Sequence, residues 1–321
     1  MKIPKTHLPK RNGFTLVELL VAMSIAVIIM GILVGITNVA MGAWTRGRAE
    51  VRAARQAKSM VEAMAKDLET FVVRSGNNFE WLYAKTEATL PGGDNARSSN
   101  ACELICFSAA TDRYKGGAGT TTDLGGDICT ASYKLAYQDP IAAQQNNDSA
   151  FVFYRQLLDP RPTFDNVLGK TDLRQAFTTA AGANRFENRT TADQNTAMYN
   201  FVCENIYQYS ITFRVDVSRT VGNVTTIIPV RVTLGQNGQA TATEFRVYGD
   251  RIVTDAKVGS LNVTAAELAA GRLSGVEIAL TVISDKGFEQ MKKRNMSDAE
   301  RAKFLAQNSF QYSKLIEVPG M

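Results

Sequence analysis

Histidine is almost missing from this chain: of 321 residues only His7 is one, and it lies within the first thirteen. The remainder cannot run a Ser-His-Asp or Cys-His mechanism, nor build the commonest zinc sites. No glycine-rich phosphate loop of the P-loop or dinucleotide type occurs. Gly116-Gly117-Ala118-Gly119 and Gly125-Gly126-Asp127 sit among Thr and Asp and read as surface loop. Excess charge is scarce as well. The net charge is +5, but Lys2, Lys5, Lys10 and Arg11 all precede residue 14, and without them 32 basic residues face 31 acidic ones. A remainder that close to neutrality gives no electrostatic footprint for nucleic acid. No catalytic residue, cofactor or metal site is therefore expected. Carboxylate or lysine chemistry stays formally open, with Asp and Glu too scattered to single out a pair.

What the chain does have is a long apolar run. A short basic leader, MKIPKTHLPKRNG, opens into residues 14–36, 23 residues whose only charged side chain is Glu18. As a helix rising about 1.5 Å per residue, such a run is long enough to cross a bilayer hydrocarbon core. Secretory signals have shorter apolar cores, of about 7–15 residues, and a small-residue cleavage site. Thr37–Ala43 is only a weak match to such a site. Acids inside membrane spans are expensive and are functional suspects by default.

The residues around that acid carry a resemblance. Gly13-Phe14-Thr15-Leu16-Val17-Glu18-Leu19, after a basic leader and before an unbroken apolar helix, resembles the start of type IV prepilins and type II secretion pseudopilins. The resemblance implies cleavage by prepilin peptidase between Gly13 and Phe14, then N-methylation of Phe14. It implies that Glu18 forms an assembly ion pair with the terminal amine of a neighbouring subunit. It also implies a cytoplasmic leader, a single pass through the bacterial inner membrane, a periplasmic head, and packing against other pilins or pseudopilins through the helix.

Helical periodicity continues past the apolar run. Val51, Ala54, Met60, Val61, Met64, Leu68 and Phe71 recur at short helical steps, with Arg52, Arg55, Lys58, Glu62, Lys66, Asp67 and Glu69 between them on the polar, solvent side, and no proline falls between residues 10 and 90. One helix is predicted from about Phe14 to Val73. The expected organisation is a leader at 1–13, a transmembrane and assembly helix at 14–36, its amphipathic continuation at 37–74, and a β-rich head at 75–321. Gly31-x-x-x-Gly35 matches the small-residue helix-packing pattern and, alone, is a weak signal.

Within the head, residues 75–130 and 139–200 read as long polar loops interrupted by strands at 104–108, 132–137 and 151–158. Alternating strands are expected at 207–217, 225–234, 243–248 and 275–284, with a last one at 310–318 and a hairpin turn at Gly222-Asn223. Alternation implies antiparallel sheets with one covered and one wet face. Thr264-x-x-Glu267 and Ser297-x-x-Glu300 read as capping boxes that open short helices. The fold class is therefore α+β and pilin-like, a long amino-terminal helix packed on antiparallel sheets with long loops.

The head's order of elements resembles the large J-type minor pseudopilins and the prepilin-like proteins of verrucomicrobial gene cassettes. It lacks the proline that usually precedes the strand at 275–284. Cys102, Cys106, Cys129 and Cys203 permit disulfides in an oxidising compartment or buried thiols, and their spacing does not suit a metal knuckle. Trp81, Tyr83 and Tyr114 read as loop aromatics, available for adhesion or for anchoring the loops. The function implied is a structural subunit of a secretion pseudopilus or pilus, at its tip, with DNA not a favoured partner. The competing reading is a single-pass membrane-anchored binding protein or carboxylate-dependent enzyme.

Overall fold

The computed structural model describes residues 15–93, 95–109, 126–141, 145–181, 200–236 and 240–318. Helix α1 runs without a break over Leu16–Glu69. The chain divides after Glu50 into two units, and the second carries the globular head. The helix stops a turn earlier than the periodicity predicts, because Phe71 leaves it to form a β-bridge with Ser108.

Among the described residues, eleven strands make two antiparallel sheets. They are β1 (Glu80–Thr86), β2 (Cys102–Ala109), β3 (Ile128–Gln138), β4 (Ala150–Leu158), β5 (Phe201–Glu204), β6 (Ile206–Val221), β7 (Val224–Thr233), β8 (Glu244–Tyr248), β9 (Ile252–Thr254), β10 (Arg272–Ile283) and β11 (Ser309–Glu317). The larger sheet has the order β5-β4-β3-β2-β1-β8-β9, and the smaller β11-β10-β6-β7. The hairpin between β6 and β7 turns at Gly222-Asn223 with Val221 paired to Val224. Gly222 takes φ +64°, as the first residue of a type II′ turn requires.

The smaller sheet alternates buried and exposed residues, as its sequence predicts. The larger sheet does not. Nearly every side chain of β1 and β2 is buried, because both faces are covered. On one face lie α1 and the smaller sheet, and aromatic pairs mark where the sheets meet. Phe213 stacks on Phe245 at 4.1 Å, and Phe153 meets Tyr209 edge-on at 5.3 Å. From α1, Met60, Met64 and Leu68 enter this core with no exposed surface, together with Ala53 and Ala57. Each large side chain buried there contributes about 1.5–3 kcal/mol. Val51 is exposed, so the buried stripe begins later than the sequence pattern suggests.

On the other face, α2 (Leu173–Ala181) covers the sheet with Leu173 and Phe177. Helices α3 (Ala265–Ala269) and α5 (Asp298–Asn308) open with the two expected capping boxes. Between β10 and α5 lies α4 (Asp285–Lys293), capped by Ser284, which buries Phe288 and Met291.

Two expectations are corrected. The segments read as loops contain the interior strand β1 and helix α2, and the edge strand β5, just after them, was not expected. Trp81 and Tyr83 are not loop aromatics: both lie on β1 and are buried, and Tyr114 falls outside the described residues. Of the two readings left open for the cysteines, the structure has buried thiols, with all four unbonded. Sheet geometry gives the reason. Cys102 and Cys106 share one strand, about 13 Å apart at about 3.3 Å per residue. Cys203 on β5 is three strands from β2 and two from β3, at about 4.8 Å per step. Cys106 pairs with Ala131 and Cys129 with Ser108. Those two thiols are thus diagonal neighbours, about 7–8 Å apart, beyond disulfide reach.

Candidate functional site

The amino-terminal segment is the first candidate. Gly13 and Phe14 lie outside the described residues; Thr15 and Glu18 lie within them. The backbone N–H of Thr15 donates to Glu18 Oε2 at 2.9 Å, and its hydroxyl donates to the same oxygen at 3.0 Å. In return the Glu18 N–H donates to Thr15 Oγ1 at 3.3 Å. Threonine and glutamate three residues apart, bonded reciprocally, form a capping box that satisfies two orphan donors of the first turn. The T-x-x-E pattern of Thr15-Leu16-Val17-Glu18 is the sequence signal for this cap. Both bonds engage Oε2, which leaves Oε1 open to a further donor.

Beyond the cap, the helix presents apolar surface on every side. Leu16, Val17, Leu19, Leu20, Met23, Val27, Met30, Leu33 and Ile36 are all more than half exposed. An 18-residue window of this helix has mean hydropathy 2.9 and none of it is buried. The hydroxyls inside the run are satisfied by the helix itself. Ser24 donates to Leu20 O at 2.9 Å, and Thr37 donates to Leu33 O at 2.8 Å. Such back-bonding lets a hydroxyl sit in an apolar medium without water. No atom lies within 4 Å of a Cβ placed on Gly31 or Gly35, so the small-residue pattern faces open space.

A cleft of about 340 Å³ beside α2 is the second candidate, lined by Tyr83, Lys85, Asp172, Arg174, Gln175 and Arg246, with two threonines of α2. The carboxylates that meet its lining cations are engaged. Glu103 meets Arg174 at 3.0 Å, and Glu244 meets Lys85 at 3.2 Å and Arg246 at 2.5 Å. Glu80 accepts from the Leu173 N–H at 2.6 Å and lies 3.6 Å from Arg246. Burial pushes its carboxyl up to about 7; the Leu173 N–H and Arg246 oppose that, while Asp172 and Glu244 add to it. Asp172 accepts from the Gln175 N–H at 2.8 Å, an N-cap for α2. These groups dock α2 on the sheet; they do not pose two opposed carboxylates across an open cleft. Among the described residues no group of His, Cys, Asp or Glu is arranged to hold a metal.

The sequence reading also missed Asp67, which it placed on the solvent side of α1. Asp67 is buried and accepts from Arg155 and from the Tyr133 hydroxyl. Burial draws the Arg155 guanidinium down, and the bond to Asp67 with the neighbouring charges more than reverses it.

Residues 8–34 match the family model described as the prokaryotic N-terminal methylation motif. That match supports a precursor of the type IV prepilin and pseudopilin kind, processed by prepilin peptidase and assembling with other pilins. With the apolar helix it marks a membrane-anchored, single-pass chain. No curated protein and no solved structure matches the chain.

Proposed function

We propose that this protein is a minor pilin or pseudopilin, a structural subunit with no reaction of its own. Prepilin peptidase cuts after Gly13, Phe14 becomes the methylated amino terminus, and the helix moves from the inner membrane into a bundle of like helices. The head, on the periplasmic side, becomes part of a type II secretion pseudopilus or type IV pilus-like filament. The observation that carries this reading is continuity. The methylation motif over residues 8–34 runs directly into a helix whose apolar surface is bare from Leu16 to Met41.

Two effects favour the transfer. Apolar surface is dry both in lipid and between helices, so little burial energy is lost at about 25 cal/mol per Å². Glu18 exchanges a solitary position in a low-dielectric medium for an ion pair with the Phe14 amine of the next subunit. Leaving one member of a buried pair alone costs more than the pair itself contributes, so the pair chiefly sets register. Thr15 holds Oε2 of Glu18, and Oε1 is offered to that amine. The large head supports a place at the filament tip, since dense helical repetition would crowd it.

Gly13→Ala should leave the full-length precursor in membranes, and a product beginning at Phe14 from that variant would remove the peptidase step. Glu18→Ala should be processed yet fail to co-purify with filaments. Normal incorporation of that variant would defeat the pairing mechanism.

A further inference from the structure

Where the apolar helix surface ends, an exposed tryptophan is followed at once by cationic side chains. Trp44 is 66% exposed, and Arg46 and Arg48 are exposed beside it. Neither arginine forms an ion pair among the described residues. Glu50 is the only acidic residue between Glu18 and Glu62, against Arg46, Arg48, Arg52, Arg55 and Lys58. Arg52 is already held by Glu204 and Asp285, and Lys58 by Glu62. That leaves Arg46, Arg48 and Arg55, and the two next to the apolar segment are Arg46 and Arg48, with Arg55 about two turns further on.

Their height along the helix is informative. From Leu16 to Trp44 the helix rises about 42 Å, the thickness of a bilayer with its headgroup layers. Thr45, beside Trp44, still donates its hydroxyl back to Met41 O and Gly42 O, both at 3.0 Å. The first charged side chains after Glu18 are the arginines.

Their directions decide what kind of partner. At 100° per residue, Arg48 stands one turn above Trp44 on the same side, and Arg46 points to the opposite side. A protein docking on one helix face would meet only one of them. A headgroup layer encircles the helix and meets both. Resting on the membrane-anchored reading above, we propose that Trp44, Arg46 and Arg48 form a collar. It binds the phosphates of anionic phospholipids in the leaflet far from the leader and sets the depth of the helix before extraction. The indole fits the interfacial layer, and guanidinium groups pair bidentately with phosphate.

The test uses the full chain in vesicles of phosphatidylethanolamine with phosphatidylglycerol, and of phosphatidylethanolamine with phosphatidylcholine. Brominated lipid of each headgroup quenches Trp44, whereas Trp81 is buried in the head. A preference for phosphatidylglycerol of about thirtyfold is expected from two interfacial arginines. It should fall to near unity in the Arg46→Gln, Arg48→Gln variant, with vesicle flotation unchanged. Equal quenching by both lipids in a chain that still floats would overturn the collar and leave the anchor standing. A chain that does not float would overturn the anchored reading instead. A preference untouched by the double substitution, with lost co-purification with other prepilins, would assign the arginines to a protein partner and overturn the collar.

Discussion

Asp67 of α1 and Arg155 of β4 form a two-pronged ion pair in the head core, with Nη2 to Oδ1 at 2.7 Å and Nε to Oδ2 at 2.8 Å. The Tyr133 hydroxyl adds a bond to Asp67 and another, at 2.9 Å, to Ala63 O. The three groups fix both the rotation and the height of α1 against the larger sheet, because a helix displaced by one residue would carry Asp67 out of reach. Their exposures differ: the Asp67 side chain is 4% exposed and that of Arg155 26%. Removing Arg155 strands a carboxylate with little access to water, whereas removing Asp67 leaves a guanidinium that can still reach it. Arg155→Ala should therefore destabilise the head by about 3–5 kcal/mol, and Asp67→Ala by less. Urea titration of the two variants gives the order, and the reverse order would refute the argument.

Glu80 should make stability depend on pH in the direction opposite to most carboxylates. Its folded value, about 7, lies above the ordinary 4.5. Below the lower value both folded and unfolded states hold the proton, and nothing is lost. As pH rises between the two values the unfolded chain releases the proton while the folded chain keeps it, so stability falls. The whole loss is on the order of 3 kcal/mol and is complete above the higher value. Glu80→Gln should remove that slope. A wild-type melting temperature that rises from pH 5 to pH 7 as steeply as the variant's would contradict it.

The amino-terminal methylation motif was legible because its elements are local: leader charge, Gly13-Phe14, the position of Glu18 and the length of the apolar run all lie on one short segment. Strands of the smaller sheet were legible for the same reason, since a wet face writes alternation into the sequence. The larger sheet hid itself. With both faces covered, Glu80–Thr86 has no alternation to read, and polar flanks made it resemble loop. Helix α4 begins at Ser284 with glycine, not glutamate, at the third helical position, so no capping box announced it. Asp67 was misplaced because its partner lies 88 residues away on β4. A buried ion pair of that separation leaves no periodic trace.

Thr15 should matter to assembly through its oxygen, not its bulk. Thr15→Val keeps the shape but removes the acceptor for the Glu18 N–H and one donor to Glu18 Oε2. Loss of such a cap costs about 1 kcal/mol, and it frees the Glu18 side chain to sample other rotamers. Filament co-purification should fall for Thr15→Val to a level between wild type and Glu18→Ala, and Thr15→Ser should restore it. A valine variant that incorporates like wild type would show that the capping box does not prepare Glu18 for its partner.

The four thiols give a test of the sheet register itself. Burial pushes the Cys102 thiol up to about 12 and raises Cys106 and Cys203 as well, so almost no thiolate exists near pH 8, and thiolate is the reactive form. Cys129 is equally buried. The folded full-length chain should therefore take up no maleimide over the time in which a free cysteine peptide reacts completely. After denaturation without reductant, all four residues should label, because the register keeps every pair beyond bonding distance. Two labels instead of four would reveal one disulfide. It would also mean that β2 and β3 are slid by two residues, bringing Cys106 opposite Cys129. Substituting Cys129→Ser tests the slip against the wild-type count: with the register described here the labels fall from four to three, and with the slipped one they rise from two to three as Cys106 is freed.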